Sequence, residues 1–189
     1  MGAQDSKLFV ISGPSGAGKG TLVARVRELR SNLGLTVSAT TRAPRKGEVD
    51  GVSYHFLTRD AFEQKVAAGE FVEWAEVHGN CYGTLVSEVE SKLAGGSSLI
   101  LEIDVQGALQ VKKRFPDAVL IFIKPPSLEV LRERLAGRGS ETPESLELRM
   151  ADAEQELALA DRYDDVVVND DLDRATEDLV RVLDKHERI

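Results

Sequence analysis

The segment Gly13-Pro14-Ser15-Gly16-Ala17-Gly18-Lys19-Gly20-Thr21 constrains this chain more than any other stretch. It follows the apolar run Leu8-Phe9-Val10-Ile11 and leads into a helical pattern from Thr21 to Arg30. Its glycines let the backbone curl until successive N–H groups converge on an anion, and the helix behind them adds the positive end of its dipole. Lys19 brings a full charge to the same place. The spacing Gly-x4-Gly-Lys between strand and helix is that of a P-loop, so residues 13–21 form the candidate site for nucleotide phosphates. Gly20 stands where the common pattern has Ser or Thr as a magnesium ligand. Mg2+ is therefore expected to be held mainly through phosphates and water.

A P-loop needs a parallel sheet behind it, and the rest of the chain has the rhythm of one. Apolar runs at 98–103, 118–123 and 166–168 precede helical patterns over 106–115, 127–135 and 172–185. The expected class is α/β, a P-loop NTPase-type parallel sheet flanked by helices. With 189 residues, 42% of them hydrophobic, the chain suits a single compact domain. Two stretches break the alternation. Residues 34–83 are turn-rich, with strand-like Tyr54-His55-Phe56-Leu57 and Phe71-Val72-Glu73-Trp74 around a short helix near 60–67, and read as a small mixed or antiparallel insertion. The segment from Ala136 to Pro143, with two glycines around Arg138, has the composition of a mobile lid. The division is a core of about 7–33, 84–135 and 160–189, an insertion of about 34–83 and a helical lid of about 136–159.

The formal net charge of −8 argues against nucleic acid or an anionic membrane as partner, so an anionic ligand must find a local cationic site. The longest apolar runs fall far short of the roughly 20 residues that span a bilayer. Residues 1–7 lack the pattern of a secretory signal, and the cytoplasm is the expected location. Cys81 is the only cysteine, which leaves no partner for an intramolecular disulfide. His55, His78 and His186 lack zinc-site spacing and read as surface or partly packed residues.

The cations that an anionic ligand needs are concentrated in Ser38-Ala39-Thr40-Thr41-Arg42-Ala43-Pro44-Arg45, followed by Tyr54. Further along stand Phe71-Val72-Glu73-Trp74-Ala75, Gly79-Asn80-Cys81-Tyr82-Gly83-Thr84 and Ile100-Leu101-Glu102-Ile103-Asp104-Val105-Gln106-Gly107. With the P-loop, and in this order, these motifs resemble the guanylate kinase family over nearly the whole chain, from about Lys7 to Lys185. The resemblance implies a P-loop core, a GMP-binding subdomain and a lid that closes over ATP.

On that resemblance, Arg42, Arg45, Tyr54 and Tyr82 hold the GMP phosphate. Glu73 accepts from the guanine N1–H and amine, with Ser38, Thr84 and Asp104 also on the base side. Many family members have Ser where this chain has Thr84; the hydroxyl is kept. Arg134, Arg138 and Arg149 match lid arginines, so the implied catalytic set is Lys19, Arg42, Arg134, Arg138 and Arg149. Arg138 and Asn169 join the P-loop in binding ATP, Asn169 near the adenine. Glu102 either orients a magnesium-bound water or organises Lys19. The implied reaction is transfer from ATP, with Mg2+, to GMP and dGMP. The competing reading is a noncatalytic guanylate kinase-like module that binds protein through the same surface.

Overall fold

The computed structural model describes residues 6–77, 79–137 and 142–187. In chain order the first half comprises β1 (Leu8–Ser12), α1 (Lys19–Leu29), β2 (Gly34–Leu35), β3 (Ala39–Thr40), β4 (His55–Phe56), α2 (Arg59–Ala67), β5 (Phe71–Val77) and β6 (Asn80–Leu85). The second half comprises α3 (Val86–Ala94), β7 (Leu99–Glu102), α4 (Val105–Arg114), β8 (Val119–Lys124), α5 (Leu128–Ala136), α6 (Pro143–Leu157), β9 (Asp165–Val168) and α7 (Leu172–Glu187).

Five strands in the order β2-β7-β1-β8-β9 form a sheet that is parallel throughout. All five residues of β1 are buried, as a central strand covered on both faces requires. Strand periodicity sends Phe9 and Ile11 to one face, against Leu22 and Val26 of α1 and Leu179 and Leu183 of α7. Leu8 and Val10 face the other way, into a core with Val89 of α3 and Val105, Ala108 and Val111 of α4. Leu179 and Leu183, four residues apart, share one stripe of α7, which is why that helix lies flat on the sheet.

A second sheet, β4-β3-β6-β5, rises beyond the first. Its β3–β4 pair is parallel and its other two pairs are antiparallel. Phe62 of α2 is fully buried beneath it and stacks on Phe71 at 4.3 Å between ring centroids. The expected insertion, 34–83, begins on the main sheet: Gly34–Leu35 pairs with β7, and the second sheet starts only at Ala39. At its other end β6 runs on to Leu85 and passes directly into α3, so the two sheets are coupled through an unbroken strand-to-helix junction. Beyond β8, helices α5 and α6 pack on each other through Leu131, Leu135, Met150 and Ala153.

Candidate active site

The P-loop connects β1 to α1. Gly13, Gly16 and Gly18 have φ of 141°, 87° and 90°, the left-handed region that side chains resist. Space excludes side chains as well: a Cβ on Gly13 would lie 2.2 Å from the Ile123 carbonyl oxygen, and one on Gly18 would lie 2.3 Å from Asn169 Nδ2. The loop is thus pressed between the ends of β8 and β9. Lys19 folds back over it, its Nζ donating to the carbonyls of Gly13 (2.6 Å) and Pro14 (3.2 Å). A cavity of about 340 Å³ opens here, lined by Ser15, Gly16, Gly18, Lys19, Gly20, Thr21 and Glu102. Burial pushes the Glu102 carboxyl up, and the Lys19 charge pulls it back down.

Asn169 is buried at the end of β9, where its side-chain amide donates to Ala17 O at 2.8 Å. Its expected place near the adenine thus comes with a second role, clamping the P-loop. The backbone carbonyl of Asn169 accepts from Arg134 Nη2 at 2.9 Å. Nη1 of Arg134 is buried and has no hydrogen-bond partner among the described residues. Arg149 reaches back from α6 to Ser15 Oγ, at 3.5 Å. Lys19 and Arg149 thus meet the loop from two helices, and Arg134, from a third, reaches it through Asn169. Glu147 pairs with Arg132. Arg138 and the rest of 138–141 lie outside the described residues, as does His78.

The other half of the site lies on the second sheet. Glu73 and Thr84 are paired across β5 and β6, and the Thr84 hydroxyl donates to Glu73 Oε1 at 2.8 Å. Burial pushes the Glu73 carboxyl above its ordinary range, against the pull of the Thr84 hydroxyl; the charge of Asp104 adds to the rise. Asp104 caps α4 by accepting from Gly107 N at 2.7 Å. Gly107 lies against the strand of Glu73, where an added Cβ would be 3.6 Å from Glu73 Cβ, an ordinary contact distance.

Gly83 opens the same register. A Cβ on it would lie 2.7 Å from the Glu73 carbonyl oxygen and 2.8 Å from Trp74 Cβ. Gly83→Ala is expected to cost about 2 kcal/mol by forcing β5 and β6 apart. Urea denaturation checks this, and an unchanged midpoint would show that the strands separate freely.

Arg42 and the two tyrosines form the third group. The Arg42 guanidinium lies 5.4 Å from the Tyr54 ring centroid, and the Tyr54 and Tyr82 rings are 6.2 Å apart. Glu48, which the sequence reading did not single out, occupies this group. Its Oε1 accepts from Arg42 Nη2 and its Oε2 from the Arg45 backbone N, both at 2.7 Å. Arg42 and the Arg45 amide hold the Glu48 carboxyl below the usual carboxylate range. Glu48 thus bridges two of the donors expected to meet an anion. The sequence signal was present in Arg-x2-Arg-x2-Glu, but three charges on a polar turn read equally well as a solvated surface.

The sequence model of the family described as guanylate kinase matches residues 5–186. A guanylate kinase of Gloeobacter violaceus is 56% identical over 178 residues, covering 94% of this chain and 87% of that protein. One of Synechocystis is 50% identical over 181 residues, covering 96% and 95%. The crystal structure of guanylate kinase from Anaplasma phagocytophilum superposes with a TM-score of 0.72 at 33% identity, covering 97% of this chain and 87% of that one.

Proposed function

Since the chain belongs to the guanylate kinase family, we propose that it transfers the γ-phosphoryl group of ATP to GMP across the gap between its P-loop and its second sheet. The observation that carries this reading is Glu73, a partly buried carboxylate that accepts from the buried Thr84 hydroxyl. Guanine offers N1–H and an exocyclic amine to such an acceptor; adenine has neither at those positions. Arg42, Arg45, Tyr54 and Tyr82 then receive the phosphate, which displaces Glu48. Ser38 and Asp104 complete the base side. Every group assigned here meets the base or the phosphate, so dGMP is an acceptor too.

The GMP phosphate is already an anionic nucleophile, and no general base is needed. What the transfer needs is cations and alignment. P-loop amides and Lys19 hold the β- and γ-phosphates; the unpartnered Nη1 of Arg134 and the side chain of Arg149 approach the group in flight, with Arg138 closing from the lid at 136–159. Mg2+ would supply charge neutralisation across the phosphates. The chain's own groups fit a water-mediated site, because Glu102 faces the cavity beside Gly20, 3.5 Å from where a Cβ would stand. Among the described residues no cluster of three His, Cys, Asp or Glu exists to cage a metal directly. Gly20→Ser is therefore expected to fold, since 3.5 Å is ordinary contact, and to lower the Mg2+ concentration for half-maximal rate roughly twofold to fivefold. A magnesium titration of the initial rate checks it.

Lys19 and the glycines of its loop give the noncatalytic reading no support. We place the enzyme in the cytoplasm with its nucleotide substrates; among the described residues no helix is long and apolar enough to cross a membrane. The test is ADP release from ATP and Mg2+ with GMP, dGMP, AMP, CMP or UMP, with direct detection of the diphosphate. GMP-dependent ADP and GDP are expected. Comparable rates with AMP would overturn the base assignment.

A further inference from the structure

Glu88 lies in the first turn of α3, outside the groups assigned above. Its Oε1 accepts from the backbone N of Val37 at 2.9 Å and lies 3.3 Å from Lys92 Nζ; its Oε2 lies 3.4 Å from His55 Nε2. Val37 is the chain neighbour of Ser38, and His55 is the chain neighbour of Tyr54. The two segments are also joined directly, His55 N donating to Ser38 O at 2.9 Å. One carboxylate thus grips both segments that present acceptor-site side chains, and it grips them from the helix that continues β6, the strand of Tyr82 and Thr84.

We infer that Glu88 is a positioning residue for the acceptor site, fastening the segments of Ser38 and Tyr54 to the β6–α3 junction so that base and phosphate contacts are preset before GMP arrives. The inference rests on the reading of Ser38 and Tyr54 as GMP contacts. Residues 36–38 join β2 on the main sheet to β3 on the second, and no other side-chain hydrogen bond to Val37 is present among the described residues. A backbone N–H held by an ionised acceptor is a strong, directional constraint. The Glu88 side chain is 15% exposed, which shields these bonds from competing water. Burial works against its charge, yet the Val37 amide, Lys92 and His55 together hold it below the usual carboxylate range. The positive end of the α3 dipole favours the same charged state.

A brace that only stabilised the fold would lower the melting temperature without singling out one substrate. A positioning residue makes a different prediction. Glu88→Ala is expected to raise the KM for GMP about tenfold, as for loss of one charge-assisted hydrogen bond, with KM for ATP and kcat at saturating GMP within about twofold of the parent. Glu88→Gln keeps an acceptor for Val37 N–H and is expected to recover most of the loss. Glu88→Asp, a methylene too short to reach both partners, is the second variant should the alanine protein fold poorly, and it is expected to raise the GMP KM as well. An unchanged GMP KM in folded Glu88→Ala or Glu88→Asp, or an equal rise for ATP, overturns the inference. Ser38→Ala and Tyr54→Phe run alongside. If these two raise the GMP KM while the Glu88 variants do not, the role of Glu88 alone fails; if they too change nothing, the acceptor-site reading fails and the role of Glu88 with it.

Discussion

Lys19→Met is expected to lower turnover with ATP and GMP roughly a thousandfold and to leave a folded protein, because one preorganised cation at a transferring phosphoryl group is worth about that much. In the structure the ammonium is satisfied by the Gly13 and Pro14 carbonyls, both on the loop it must serve. Arriving phosphates take over those bonds without any movement of α1, so little reorganisation is needed at the moment of transfer. Methionine keeps the length and apolar stem of the side chain and removes only the charge. One neighbour affected is Glu102, which burial already pushes up and which Lys19 holds down. With the cation gone, its carboxyl rises further, and as an exposed side chain it keeps access to water. Lys19→Arg is not expected to rescue, since a planar, forked guanidinium cannot curl onto two carbonyls of the same tight loop. Initial rates of ADP formation, with a circular-dichroism melt on the same samples, test both statements. Turnover near the parental rate in a folded Lys19→Met protein would remove the ammonium from the mechanism.

The P-loop was legible because every constraint on it is local. Glycines that need positive φ, a lysine one step behind and a strand in front are all readable in nine residues. The same holds for β1, whose fully apolar run follows from burial on both faces, and for α7, with Ala175, Leu179 and Leu183 at helical spacing. By contrast, α3 was not anticipated: of its nine residues only Val86 and Val89 are buried, too narrow a stripe to stand out in a polar segment. β2 is two residues long and owes its place to pairing with β7, some 60 positions later, which no local pattern records. Glu48 and Glu88 were missed for the same reason. Each is a charged residue in a charged neighbourhood, and its significance lies in which backbone N–H it meets. Asn169 shows the converse, a position picked out for the ligand that the fold also uses to hold the loop.

Base selection gives the other large effect. Glu73→Gln is expected to reduce the preference for GMP over AMP about a hundredfold with KM for ATP unchanged. It replaces an acceptor oxygen with a donor facing the two donors of the guanine edge, and it removes the charge that strengthens both bonds. Loss of fold does not explain such a result away. A carboxyl whose folded pKa is raised binds its proton more readily in the folded state, so its contribution to stability grows as pH falls through the folded pKa and is unfavourable at neutral pH, where the group is charged. The neutral amide carries no such penalty, and its carbonyl oxygen can still accept from the Thr84 hydroxyl. Glu73→Gln is therefore expected to melt at or above the parental temperature at pH 7. The same shift fixes the sign of the pH dependence. As pH falls, Glu73 takes up a proton above the ordinary carboxylate range, and GMP binding weakens in the parent from that point down. The phosphate of GMP titrates near pH 6 and weakens binding in both proteins. The acid-side loss should thus be steeper in the parent, and the two GMP affinities should draw together at low pH. Profiles that stay parallel over the whole range, or unchanged discrimination between GMP and AMP at pH 7, would show that Glu73 does not meet the base as a carboxylate.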